Sequence, residues 1–392
     1  MKMLYTISMT LLIILLHNAC SNTNANSNTN KPQSLLSINT ITAIKPDSVA
    51  FCFVFMGCNR VDKGDLKNPN TNASTANVPE LQRTFNEVAA LNPKPIFYFF
   101  LGDEVLGLDA NTKKLQDQLK AWRKQYSDPS FSTLPTSGIQ MVALPGNHEM
   151  LYKDKTKKGE KEELPNKDAL AVWQKEMNGF IPSGVSINRV GGKDSINNQL
   201  TYSFTYKNTH FILLNTDTYN KKEVIGIAPA DWINADIASA RKNPSVKHIF
   251  LLGHKPAIVD KALYAPDGDD IMDIPVIQSI WPVMEANKVE AMLSAHSHQY
   301  YRTQPNAGKT YQVIAGNGGS PYEKHAAKDT ARQFFGYTIV YVMKNQQVII
   351  QSMGRSIPAA NYLEKIPANT PTTIRDQVNI SWGTNGGTWE PK

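Results

Sequence analysis

Four short clusters carry most of the chemistry this sequence can perform: Gly102-Asp103, Gly146-Asn147-His148-Glu149, Gly253-His254 and Ala295-His296-Ser297-His298. They hold four of the eight histidines in the chain, together with a carboxylate and an amide at equivalent places. Carboxylate oxygen combined with imidazole nitrogen is a ligand set for Zn2+, Mn2+, Fe and similar ions. The glycine that opens three of the clusters allows a sharp turn and a close approach of backbone to ligand. Singly, each cluster is weak evidence, because Gly-Asp is an ordinary turn and a lone histidine is an ordinary surface or core residue. Their force lies in their shared position.

That position is the end of an apolar run. Phe51–Met56, Ile96–Leu101, Ile139–Leu144, His248–Gly253 and Val289–Ser294 each read as a buried strand, continuous in hydrophobicity as in a strand covered on both faces. Helical spacing separates them. Leu81, Phe85 and Val88 follow Asn77, read as an N-cap, and Leu115, Leu119 and Trp122 mark a second helix from about Lys114. Further helices are predicted at 169–177, 229–242 and 275–288, the last broken locally by Pro282. Residues 200–217 and 337–353 read as hairpins, the first with a Lys-Asn turn. Strands alternating with helices predict a layered α/β architecture. In such folds the ligand site lies off the carboxyl ends of the strands, so clusters far apart in sequence can converge.

The ordered set of four clusters resembles the calcineurin-like metallophosphoesterases, which include the purple acid phosphatases. The resemblance spans about Phe51 to Met353. It implies a four-layer αββα sandwich and a two-metal site that clamps a phosphate and activates water for in-line attack. By position, it implies that Asp103 bridges the metals, that Asn147, His254 and His296 complete one metal site, and that His298 serves the other. His148 is implied to bind no metal but to stabilise the transition state or protonate the leaving oxygen, with Glu149 orienting it through a hydrogen bond. Zn, Mn, Fe and Ca are the candidate ions, one or two per chain. His210, His248 and His325 fit no motif and are read as structural.

The first strand tip departs from the family pattern. Asp-x-His is normal there, and this chain has Cys58 and Arg60 in those places. Arginine has no lone pair to donate, whereas a thiolate is a good ligand. Some secreted alkaline phosphatases of the superfamily are similar in placing a metal-binding cysteine at this tip. The tyrosine that those enzymes and the purple acid phosphatases carry three residues after the second-motif aspartate is Leu106 here, which argues against a tyrosinate–iron site. Three readings follow. Cys58, Asp103 and His298 hold a metal while Arg60 binds substrate phosphate; or that metal site is weak and one ion remains; or catalysis is lost and the protein binds a phosphorylated ligand. Asp62 and Asp65 stand close enough in sequence to supply a replacement carboxylate.

The N-terminus of the 392-residue sequence predicts an exported protein. Lys2, the apolar run Ile7–Leu16 and Ala19-Cys20 describe a signal peptide over 1–19, of lipoprotein type with Cys20 lipidated. A polar tether at 20–37 cannot pack. The catalytic domain is placed at 38–356, and 357–392 is a C-terminal extension without assignment. Cys52 and Cys58 are too far apart along one strand to form a disulfide. A formal charge of +7 is too mild to indicate a nucleic-acid partner. The reading is thus a phosphate mono- or diesterase acting on phosphorylated small molecules or esters, anchored by lipid in the periplasm or at the surface of a bacterium. The alternative is an anchored phospho-ligand binding protein on the same fold.

Overall fold

A computed structural model describes residues 43–392 apart from 67–70, 156–158, 160, 191–199, 259–270, 306–308, 323–331, 358–361, 364–365, 368, 383–388 and 392. The apolar N-terminal run, Cys20, the polar stretch after it and His325 lie outside the described residues.

The chain builds half of one sheet, all of a second, and then returns to finish the first. β1 (Val49–Met56), β2 (Phe97–Leu101) and β3 (Gln140–Leu144) run parallel. A separate antiparallel hairpin follows, made of β4 (Leu151–Lys155) and β5 (Lys161–Pro165). The second sheet comprises β6 (Ile187–Arg189), β7 (Tyr202–Tyr206), β8 (Thr209–Leu214), β9 (His248–Gly253), β10 (Ala291–Ser294), β11 (Tyr300–Thr303) and β12 (Tyr311–Ala315), in the order β11-β12-β10-β9-β8-β7-β6. β13 (Phe334–Met343), β14 (Gln347–Ser356), β15 (Thr373–Trp382) and β16 (Trp389–Pro391) then extend the first sheet to the order β16-β15-β14-β13-β1-β2-β3. The helices are α1 (Val78–Ala89), α2 (Thr112–Tyr126), the single turn α3 (Asn147–Met150), α4 (Ala169–Met177), α5 (Ala230–Lys242) and α6 (Ile274–Ala286).

Alternation along the strands sorts side chains into layers. From β1, Cys52, Val54 and Met56 pack with Leu81, Phe85 and Val88 of α1 and Leu115, Leu119 and Trp122 of α2. Phe51, Phe53 and Phe55 face the other way, against Phe211, Leu213, Phe250, Leu252 and Leu293 of the second sheet. Ile249 and Leu251 cover the far face of that sheet with Ile233 and Ile237 of α5 and Ile277 and Ile280 of α6. Helices, sheet, sheet and helices thus form the four-layer αββα sandwich that the motifs implied. Phe53 sits at its centre, edge-on to Phe99, Phe211 and Phe250 at centroid distances of 5.5, 5.1 and 5.4 Å. Burying such a ring contributes about 1.5–3 kcal/mol. Cys52 and Cys58 are both free, in different core layers.

Two local readings are corrected: Pro282 does not break its helix, which runs from Ile274 to Ala286 through it, and the Asn77 cap is not made. The 207–208 turn joins β7 to β8 as its sequence predicts, and Asn111 caps α2 by accepting from Lys113 N at 3.0 Å. Asn77 does precede α1, but its side chain does not cap it. Its Nδ2 donates instead to Gly319 O at 2.8 Å, because the loop after β12 passes close by. The extension beyond residue 356 contributes β15, whose buried Asp376 reaches the second sheet. It accepts from Tyr300 Oη at 2.6 Å and from Arg302 Nε and Nη2 at 2.6 and 2.9 Å.

Candidate metal centre

β1, β2 and β3 are parallel, as are β8, β9, β10 and β12, so the polar clusters leave their sheets at the carboxyl ends. The two edges are stitched together. Cys58 N donates to Gly102 O at 2.9 Å, Asn59 N to Asp103 O at 3.0 Å, Gly57 N to Ala315 O at 3.0 Å and Ala295 N to His254 O at 2.9 Å. Glycine is needed where these tips crowd: a Cβ on Gly102, at φ +82°, would lie 2.6 Å from both Gly146 N and His254 Nδ1. Three non-glycine residues are nonetheless held in the left-handed region, Cys58 at φ 60°, Asp103 at 59° and His296 at 63°. Such a conformation costs about 1–3 kcal/mol and clusters at functional sites.

Asp103, 1% exposed, lies between two groups of donor atoms. On one side Cys58 Sγ, a carboxylate oxygen of Asp103 and a ring nitrogen of His298 all fall within 4.8 Å of one another. On the other, His254 Nε2 is 3.3 Å from Asp103 Oδ1, 3.1 Å from Asn147 Oδ1 and 3.1 Å from His296 Nδ1. The second ring nitrogens are occupied elsewhere. His254 Nδ1 pairs with Leu101 O at 2.7 Å, and His298 Nδ1 with Pro321 O. A carbonyl only accepts, so each ring carries its proton on Nδ1 and leaves Nε2 bare, and that of His254 faces the carboxylate. This is how metal-ligating histidines are usually oriented. In the neutral ring, His254 Nε2, Asn147 Oδ1 and Asp103 Oδ1 are three acceptors facing one another. A cation among them converts repulsion into attraction, so these residues fit a metal.

The electrostatics agree. Burial, then the Arg60 charge, holds His148 and His298 well below the usual imidazole range, and burial followed by His254 does the same for His296. The neutral form is the ligating form. Burial and the Asp103 carboxylate push the Cys58 thiol well up, partly opposed by Arg60 and the His296 backbone N–H. A bound cation reverses that balance and favours the thiolate.

The calcineurin-like phosphoesterase family matches this chain over residues 64–300, which is more than half of its length. The protein belongs to the calcineurin-like phosphoesterases. Among solved structures, it resembles the purple acid phosphatase PPD1 from yellow lupin (Lupinus luteus) seeds at TM-score 0.51 and 14% identity, covering 87% of this chain and 55% of that one. It also resembles PhoD at TM-score 0.53 and 12% identity, covering 86% and 73%. The chain therefore spans about half of the lupin protein, and likeness at such identity concerns the fold. No curated protein matches the sequence.

Cys58 and Arg60 lie just upstream of the span over which this calcineurin-like phosphoesterase matches its family. Arg60 is not a ligand. Its guanidinium lies on the Oδ2 side of Asp103, with Nε 3.9 Å away and Nη1 2.5 Å from Asp62 Oδ1. Asp62 and Asp65 do not replace the missing carboxylate: the first holds Arg60, and the second accepts from Tyr362 Oη at 2.7 Å. Leu106 contributes its carbonyl, which takes His148 Nδ1 and leaves Nε2 3.9 Å from Asp103 Oδ2.

Glu149 corrects a sequence expectation. It does not orient His148. Its carboxylate accepts from the backbone N of Asp103, Val105 and Gly146 at 3.0, 3.1 and 2.8 Å, bracing the second and third tips against each other. Burial and the neighbouring Asp103 charge push Glu149 up to about 7.

Four charged residues join the site unanticipated. Glu104 is fully buried, its carboxyl pushed well up by burial and by Glu149. Asp217 and Lys255, each 2% exposed, pair at 3.3 Å, and both charges act on His296. The strand-end rule could have found Asp217, since it follows β8 at the same edge. Glu163 comes from the β4–β5 hairpin and accepts from Asn147 Nδ2 at 3.1 Å. His210 and His248 stand apart, paired with Asp236 and Glu290 at 2.8 Å each.

Proposed function

We propose that the protein is an exported, metal-dependent phosphoesterase that hydrolyses phosphate mono- or diesters. The observation that carries this reading is Asp103, a buried carboxylate with a thiol–imidazole group on one side and an amide–imidazole group on the other. Cys58, Asp103 and His298 would hold one ion, and Asp103, Asn147, His254 and His296 the other. When bound, the ions supply Lewis-acid stabilisation of phosphoryl oxygens and lower the pKa of the attacking water. Thiolate, imidazole and carboxylate suit Zn or Fe at the first position, and the oxygen- and nitrogen-rich second set also suits Mn.

The chain's own residues do the rest. Arg60, 11% exposed, presents a guanidinium beside Asp103 Oδ2 that can grip a phosphate oxygen. Asp62 keeps that side chain in place. His148 Nε2, beside the same oxygen, takes or returns a proton once a phosphate anion raises the ring's basicity. Arg60, standing where the family has a ligand, favours a second reading: a phospho-ligand binding protein that has lost turnover.

Metal analysis of the purified protein, run with hydrolysis of a chromogenic phosphate monoester and diester, separates the two. Metal with turnover supports the enzyme. Metal with no turnover on either ester, across added Zn, Mn, Fe and Ca, supports the binding protein. The basic start, short apolar core and Cys20 support export with a lipid on Cys20, in the periplasm or at the cell surface. Intact mass of detergent-extracted protein tests this: an unacylated Cys20 overturns the lipid anchor, and an uncleaved N-terminus overturns export.

A further inference from the structure

Asn147 has a chemical ambiguity that, unlike those of His254 and His298, no backbone carbonyl resolves. Its side chain has one end that can ligate and one that cannot, and a half-turn about the last bond exchanges them. Aspartate has two equivalent oxygens, and the ring of His254 is held by Leu101 O at 2.7 Å. Something must fix the Asn147 amide so that Oδ1, and not Nδ2, faces His254 Nε2.

We infer that Glu163 is the positioning residue that sets Asn147, and that the β4–β5 hairpin is thereby part of the metal centre. Both Glu163 carboxylate oxygens lie within hydrogen-bond distance of Asn147 Nδ2, at 3.1 and 3.3 Å. An ionised carboxylate only accepts, so the amide nitrogen must face it, and Oδ1 must turn the other way, 3.1 Å from His254 Nε2. Glu163 is itself held. It stands opposite Lys153 in the hairpin register, and Lys153 Nζ lies 3.2 Å from its Oε1. The hairpin starts directly after α3, the turn that carries Asn147 and His148. The side chain that orients the amide therefore comes from the segment immediately downstream of it. A flipped amide would point N–H groups at the cation and leave its nitrogen where a ligand is required.

This inference rests on the metal reading above, and the test separates the two. Mn2+ and Zn2+ binding to full-length, metal-stripped protein is followed by titration calorimetry, in parallel with kcat and KM for a chromogenic phosphate ester. The wild type is expected to bind; if it binds neither ion, the metal reading fails before Glu163 is at issue. Glu163→Ala is expected to weaken the second binding event about 10–100-fold, the usual effect of losing a residue that orients a ligand. Glu163→Gln retains an acceptor oxygen and should restore most of that loss. In the Asn147→Asp background, where both ends of the side chain ligate and no amide needs orienting, Glu163→Ala should cause no further loss. Wild-type affinity in Glu163→Ala overturns the inference. So does equal loss in Glu163→Gln, which would show that charge and not orientation matters, and so does undiminished loss in the Asn147→Asp background.

Discussion

Arg60 and His254 flank the same carboxylate from opposite oxygens: Arg60 Nε lies 3.9 Å from Asp103 Oδ2, and His254 Nε2 lies 3.3 Å from Oδ1. A fixed cation thus stands across the carboxylate from His254, on the oxygen that His148 also approaches. Replacing Arg60 with methionine keeps most of the volume and removes the charge. The expected result is a rise in KM for phosphate esters of about 10–100-fold, from the roughly 1.5–3 kcal/mol of a hydrogen bond to a charged group, with metal content unchanged. Steady-state kinetics beside metal analysis checks both halves. A loss of metal with KM intact would show that Arg60 supports the centre rather than the substrate.

Cys58 and His298 belong to one donor group and His254 to the other. Cys58→Ser and His298→Ala should each remove one metal equivalent per chain and leave the other bound, while Asp103→Ala should remove both. Metal stoichiometry after gel filtration decides the matter. Unchanged stoichiometry in Cys58→Ser would leave the thiol as a packing residue only.

The buried imidazoles make the metal-free protein acid-sensitive. His148 is held well below its ordinary range by burial and by Arg60. Below about pH 6.5 the unfolded chain therefore takes up a proton there that the folded chain refuses. A depressed folded pKa in a histidine means stability is lost as pH falls. The contribution is about 1.4 kcal/mol per pH unit until the folded pKa is reached. Glu149, raised to about 7, acts in the opposite sense between its unfolded value and 7, so the clean comparison is between variants. His148→Gln should gain stability relative to wild type on going from pH 7.5 to 5.5, measured by urea unfolding in chelator. A constant difference between the two would count against a neutral His148.

Asp376 holds Arg302 in a two-point pair and Tyr300 in a hydrogen bond, almost wholly out of water. Asp376→Ala strands both partners and is expected to destabilise the protein by about 3–5 kcal/mol. Asp376→Asn should fall between the two. Urea midpoints at constant slope report it.

Much of this molecule is legible along the chain, for local reasons. β1 reads as doubly covered because its side chains alternate between two apolar layers, Cys52, Val54 and Met56 one way and Phe51, Phe53 and Phe55 the other. The clusters at the strand ends are readable because parallel strands force their carboxyl ends to one edge. What fails needs knowledge of a neighbour. Asn77 has the right type and place for a cap, yet Gly319 O, 242 residues on, takes its amide. Glu149 sits beside His148 in sequence, but a single turn of helix aims it at three backbone amides instead. Glu163 follows a lysine-rich run at 153–158 with no apolar pattern to mark a strand, and only the hairpin register brings it to Asn147.

The brace between Asp376 and the Tyr300–Arg302 segment also bears on how the protein is made. His296 and His298 immediately precede that segment, while Cys58 and Asp103 lie in the first third of the chain. During synthesis on the ribosome, the early tips must wait for His296 and His298, which emerge only about three quarters of the way along the 392 residues. Completion of the candidate centre therefore waits on the second sheet, and the Asp376 brace on its Tyr300–Arg302 segment comes later still. An ion captured earlier would meet only a fragment of the candidate donor set.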